Sequence, residues 1–148
     1  VVRKGRVVDT RFSTAIHALI MIAGAETPVT SDWIARSVGT NASYIRKIVG
    51  LLKRQGIIDS RQGVGGFSLL VAPEELSLLR VYRATAGTEQ VHVFDLHQNP
   101  NDECIVGRHI RPVLTDVFRG IEEKAELELR STTLADCMQK MRAEIDKE

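Results

Sequence analysis

Three observations predict a mainly α chain that carries one small β-hairpin. Between Thr30 and Gln55, Ala35, Gly39 and Ile45 stand four and six residues apart. That spacing suits two short helices packed across a tight turn: a small Ala at the crossing, a Gly able to take the left-handed turn conformation, and a branched Ile locking the second helix. Next, Ile57-Ile58 and Phe67-Ser68-Leu69-Leu70-Val71 flank Arg61-Gln62-Gly63-Val64-Gly65-Gly66, a tip whose three glycines free the backbone for close approach. Last, Val106, Ile110, Val113, Val117 and Ile121 recur at steps of four, three, four and four, the apolar stripe of a long helix. A helix-turn-helix followed by a two-stranded hairpin is a winged helix-turn-helix, a DNA-binding unit. Here it precedes a long C-terminal helix suited to dimerisation.

The elements follow in order. Residues 1–8 (VVRKGRVV) come before any helical period and read as an N-terminal arm or a cloning remnant. A first helix is predicted from about Asp9 or Thr10, with Phe12, Ala15, Ile16, Leu19, Ile22 and Ala23 on its buried stripe. Thr30 or Ser31 caps the next helix, which runs to about Ser37, and Asn41 caps a second one over 42–55. Gly56, after Lys53-Arg54-Gln55, ends it as a C-terminal glycine. Beyond the hairpin, Pro73-Glu74-Glu75 opens a helix through Leu76, Leu79, Tyr82 and Ala86 that Gly87 stops. A connecting loop over 88–104 follows, with Val91-His92-Val93-Phe94 a candidate short strand. In the long helix Pro112 predicts either a start near Ile110 or a kink. Thr133 and Asp136 form a capping box for a final helix with Leu134, Cys137, Met138, Met141 and Ile145 on one face. The domain boundaries are thus 9–87 for the DNA-binding unit and 105–148 for a helical dimerisation region. The apolar stripe of that region either packs back on the first unit or pairs with a second copy.

Charge is divided unevenly along the chain. Residues 1–71 hold ten Lys/Arg against four Asp/Glu (+6), while 72–148 hold ten against fifteen (−5). A basic half coinciding with the helix-turn-helix suits a polyanion, so double-stranded DNA is the expected partner. No apolar run approaches the roughly 18 residues of a membrane span. The two cysteines, Cys104 and Cys137, are too few for a disulfide scaffold, which points to a cytoplasmic protein. An enzyme is not expected, because no nucleophile–base pair, paired carboxylates or phosphate loop is present. Gly63-x-Gly65-Gly66 lacks the Lys and the strand-to-helix context of a nucleotide loop.

Each candidate contact has a chemical reason. The second helix of a helix-turn-helix places its N-terminal turns in the major groove, here Asn41, Ser43, Tyr44, Arg46 and Lys47. Arg46 suits bidentate recognition of guanine or a phosphate contact. Ser43 and Tyr44 offer hydroxyls to base or phosphate, with packing the alternative for Tyr44. Ser31 offers its hydroxyl and amide to a phosphate. Lys53 and Arg54 lie farther along and suit the DNA backbone. In the wing, Arg61 and Gln62 suit the minor groove while Gly63, Val64, Gly65 and Gly66 bring amides to phosphates. Val106, Ile110, Val113, Val117 and Ile121 are the candidate dimer contacts, and a dimer would read an inverted repeat.

Arg11 to Leu19, Ser43 to Ile48, Arg61 to Phe67, Leu76 to Ala86 and Thr133 to Asp136 together resemble the Rrf-two family of bacterial transcriptional regulators. The resemblance covers nearly the whole chain from Asp9, and the glycine-rich wing is its most specific part. It implies a homodimer crossed through the long helix, acting as a repressor. Cluster-binding members of the family carry three cysteines in the loop before that helix. This chain has Cys104 alone there, so it looks like the cluster-free branch and no cofactor or metal is expected. Two alternatives remain: a regulator responding to redox state or iron–sulfur supply through Cys104, or a winged-helix module that contacts protein. Cys104, His92, His97 and His109 match no zinc spacing.

Overall fold

Residues 9–63 and 65–148 are described in a computed structural model of the chain. The arm 1–8 and Val64 at the wing tip lie outside the described residues. The elements run α1 (Arg11–Gly24), α2 (Ser31–Val38), α3 (Ala42–Arg54), β1 (Ile58–Ser60), β2 (Phe67–Leu69), α4 (Leu78–Ala86), α5 (Ile105–Ser131) and α6 (Leu134–Ile145). The fold is therefore mainly α with one two-stranded antiparallel hairpin, β1–β2.

The core forms where α1, α2, α3 and α4 turn their apolar faces together. Ala15, Ala18, Leu19, Ile34, Ile45, Ile48, Leu52, Ile57, Leu76, Val81 and Leu134 belong to one buried cluster. Each branched or leucyl side chain removed from water there contributes about 1.5–3 kcal/mol, so the helix pair is held by its seam and not by propensity. Phe12 meets Tyr82 edge-on at 5.5 Å between ring centroids, joining α1 to α4.

The caps explain where the helices begin. The Thr30 hydroxyl accepts from Trp33 N–H at 3.2 Å, and the Asn41 side chain accepts from Tyr44 N–H at 2.8 Å. Thr30, not Ser31, is thus the cap, and Ser31 is the first helical residue. Gly39 adopts φ +86° and donates its N–H to Ala35 O, the tight turn that its sequence position predicts. The Thr133–Asp136 capping box is formed in both directions.

Four expectations change. Residues 73–75 form a turn, with Glu75 N–H donating to Ala72 O, and α4 begins only after Ser77. Leu76 and Ser77 are instead extended against Thr132–Leu134: Leu78 N–H donates to Thr132 O and Leu134 N–H to Leu76 O. That pairing takes the Leu78 amide and the Leu76 carbonyl that a helix starting at Pro73 would have needed. Val91–Phe94 is not a strand, because side chains take its amides: His92 N–H donates to Tyr82 Oη and Val93 N–H to Glu122 Oε2. Helix α5 starts at Ile105 and not near Ile110, with Pro112 inside it. Finally, α6 packs on α1 through Leu134 and Met138, but Met141 and Ile145 are exposed, so its apolar face is shorter than the periodicity suggests.

Candidate nucleic-acid interface

Helix α3 is split by its own periodicity into two faces. Ile45, Ile48, Val49 and Leu52 are buried, whereas Ser43, Arg46 and Lys47 are exposed. Residues i, i+3 and i+4 share a face, so fixing Ile45 and Ile48 inward turns Ser43, Arg46 and Lys47 outward at the helix N-terminus. Asn41 is spent on capping, which presents the first turn's remaining amides at the positive end of the helix dipole. Tyr44 is half-buried and packs against the core cluster, the alternative the sequence left open. Ser31 lies in the first turn of α2 and is partly exposed.

Toward the other end of α3, Lys53 and Arg54 are exposed, but the Lys53 ammonium donates to Ser60 Oγ at 2.9 Å. Lys53 thereby ties the end of the helix to strand β1. Hairpin register is Ile58↔Leu69, Asp59↔Ser68 and Ser60↔Phe67, and Arg61 N–H donates to Gly66 O as the loop opens. Arg61, Gln62, Gly63 and Gly65 are exposed at the tip, and Gly66 is partly covered. A Cβ on Gly66 would lie 2.8 Å from Val29 N and 2.9 Å from Val29 O, so the wing base presses on the loop between α1 and α2.

Sequence reasoning passed over two features. Trp33 is 51% exposed on α2, with the Arg36 guanidinium 4.9 Å from its ring centroid. Their i, i+3 spacing was the available signal. The second is Arg80, which donates Nη2 to Gln55 O at 2.9 Å, and no local pattern marks it.

The long helix α5 has no buried residue over its 27 positions. Val106, Val113, Val117 and Ile121 are exposed, and Ile110 is partly exposed. A different face of the same helix is occupied: Phe118 packs on Phe94, Glu122 accepts from Val93 N–H, and Glu126 pairs with Arg83 of α4 at 3.2 Å.

Cys104 is the residue preceding α5 and is exposed, whereas Cys137 is partly buried in α6. The backbone N–H of Gly107, then that of Val106, holds the Cys104 thiol below its ordinary range. Burial, then the Asp136 carboxylate, pushes Cys137 up.

Residues 8–140 match the family described as "Rrf2: Iron-dependent Transcriptional regulator". The chain belongs to the Rrf2 family. It is 40% identical over 131 residues to YwnA of Bacillus subtilis (strain 168), named as an HTH-type transcriptional regulator, covering 88% of this chain and 96% of that one. A solved structure described as a DNA-binding protein is 38% identical, covers 86% of this chain and 98% of its own, and superposes with a TM-score of 0.68. CymR (YrzC), the global cysteine regulator of B. subtilis, is 21% identical with a TM-score of 0.67, covering 90% of this chain and 97% of its own, and shares the fold. Rrf2 membership makes the chain a DNA-binding transcriptional regulator and not an enzyme. The family description names iron, and this chain's donors do not fit it. The loop before α5 offers one thiol, and the His92 imidazole is engaged by Asp95 at 2.6 Å. Among the described residues no three His, Cys, Asp or Glu are arranged so as to hold a metal ion.

Proposed function

We propose that this Rrf2 regulator is a cytoplasmic homodimeric repressor that reads an inverted repeat. Helix α3 enters the major groove and the 61–66 wing enters the minor groove. The observation that carries the reading is the exposed trio Ser43, Arg46 and Lys47 at the capped N-terminus of a helix whose opposite face is buried. Arg46 reads base edges. Ser31, Lys47, Lys53 and Arg54 face the phosphate backbone, Arg61 and Gln62 enter the minor groove, and the amides of the glycine-rich wing approach phosphates. Val106, Ile110, Val113, Val117 and Ile121 form the seam with the second copy, which makes 105–148 largely a dimerisation region beside the 9–87 reading unit. The bare stripe on α5 supports that assignment, because helices with such stripes bury them against a partner.

The test is selection of bound duplexes from a random pool, followed by titration of the selected duplex. Arg46→Ala is expected to remove about 1–3 kcal/mol of discrimination between the selected and a scrambled duplex. Lys53→Ala is expected to weaken both duplexes alike. Equal loss on both duplexes for both variants sinks this division of roles.

The exposed thiol of Cys104 favours a second reading, redox control of repression. A thiolate is the reactive form, and helix amides beside Cys104 favour it. At neutral pH Cys104 is expected to be alkylated by iodoacetamide well ahead of Cys137, with the gap narrowing as pH rises and both thiols ionise. Peroxide is expected to release DNA from the wild type and not from Cys104→Ser. Equal alkylation rates, or release from both proteins, dispose of the switch.

A further inference from the structure

We infer that Arg80 of α4 is a positioning residue for DNA reading: it holds the recognition helix from behind, by its C-terminus. The inference rests on α3 being the reading helix. The last carbonyls of an α-helix lack partners within the helix and carry its partial negative charge. At the end of α3, Leu52 O and Lys53 O are answered by Ile57 N–H and Gly56 N–H, and Gln55 O is answered by the Arg80 guanidinium at 2.9 Å. Gly56 turns the chain at φ +70°, and the place a Cβ would take there is 3.7 Å from Arg80 Nη2. The guanidinium therefore lies against the turn that ends α3, with both a hydrogen bond and a favourable charge.

The Arg80 side chain is exposed, and its backbone lies in the first turn of a capped helix. Its N–H donates to the Ser77 hydroxyl that caps α4. One turn on, Arg83 donates Nε to Glu89 O at 2.8 Å and Nη2 to Glu126 of α5 at 3.2 Å. Leu78 N–H holds Thr132 O just after α5. Helix α4 is thus a strut, gripping the reading helix through one arginine and the long helix through the next. Because α3 enters the groove by its opposite end, a small rotation at Gln55 displaces Arg46 relative to the bases, and bidentate contacts tolerate little displacement.

The experiment compares wild type, Arg80→Ala and Arg80→Lys, each as the full chain, on the duplex selected by the wild type and on a scrambled duplex. Arg80→Ala is expected to bind the selected duplex about tenfold more weakly, the fall that follows when the reading orientation is populated about a tenth of the time. Binding to the scrambled duplex, and the salt dependence on both duplexes, are expected to stay unchanged. Arg80→Lys, which keeps the charge and a donor, is expected to recover most of the loss. If Arg80 touches DNA directly, affinity falls on both duplexes and the salt slope drops by about 0.9, which overturns the inference. A shift in melting temperature with unchanged selected-duplex affinity overturns it equally. A wild type with no preference between the duplexes refutes the reading of α3 itself, which is a separate failure.

Discussion

A chain carrying Val113→Glu together with Val117→Glu is expected to run as a single copy at micromolar concentration and to lose at least a hundredfold in affinity for the selected duplex. Both positions are exposed in the isolated chain and neither belongs to the core cluster, so the substitutions leave the subunit fold intact. Helix α5 spans 27 residues, about 40 Å at 1.5 Å per residue. A two-fold pairing along it stacks valines and isoleucines from both chains, each side chain contributing about 1.5–3 kcal/mol on burial. The double variant puts four carboxylates into that seam, and burying an unpaired charge costs several kcal/mol. DNA affinity falls because two linked reading heads gain a factor of about 10²–10⁴ from effective concentration, and a lone head forfeits it. Light scattering and circular dichroism measure mass and fold, and fluorescence anisotropy measures binding. A variant that stays dimeric, or a single copy that binds the selected duplex as tightly as wild type, refutes the proposed seam.

The parts of this molecule that were legible in the sequence are those set by neighbours within a few residues. Ala35, Gly39 and Ile45 announce the helix-turn-helix because small, left-handed and branched residues each answer a local steric demand. Thr30, Asn41 and the Thr133–Asp136 box are caps, which are local by construction. The stripe on α5 follows from periodicity alone. What stayed hidden depends on partners far along the chain. The extended segment at Leu76–Ser77 exists only because Thr132–Leu134 comes back to pair with it. The amides of His92 and Val93 are taken by Tyr82 and Glu122, so a strand-like run forms no strand. No local pattern marks the bond from the Lys53 ammonium to Ser60 Oγ, which spans the turn between helix and strand. In the candidate site, exposure of Ser43, Arg46 and Lys47 was predictable from the buried positions around them. The bracing of their helix by Arg80 was not, because 25 residues separate donor and acceptor.

Gly66 and Gly63 offer a paired test of how the wing is held. Both have positive φ, +75° and +80°, so an alanine at either is strained by roughly 1–2 kcal/mol. At Gly63 no described residue outside its chain neighbours lies within 4 Å of the added Cβ, so the cost there is that strain. At Gly66 the Cβ would fall 2.8 Å from Val29 N, 2.9 Å from Val29 O and 3.1 Å from Pro28 Cβ, and the first two are backbone atoms that yield only if the loop moves. Val29 is buried in the core cluster, so moving it disturbs packing beside α1. Gly66→Ala is therefore expected to cost about 3–4 kcal/mol in urea unfolding, against about 1–2 for Gly63→Ala. Because the same contact sets where the wing leaves the body, Gly66→Ala is also expected to weaken duplex binding at temperatures where the protein is still folded. Gly63→Ala, at the open tip, changes binding less unless the amides there approach phosphate closely. Equal destabilisation by the two alanines shows that the wing base does not rest on Val29.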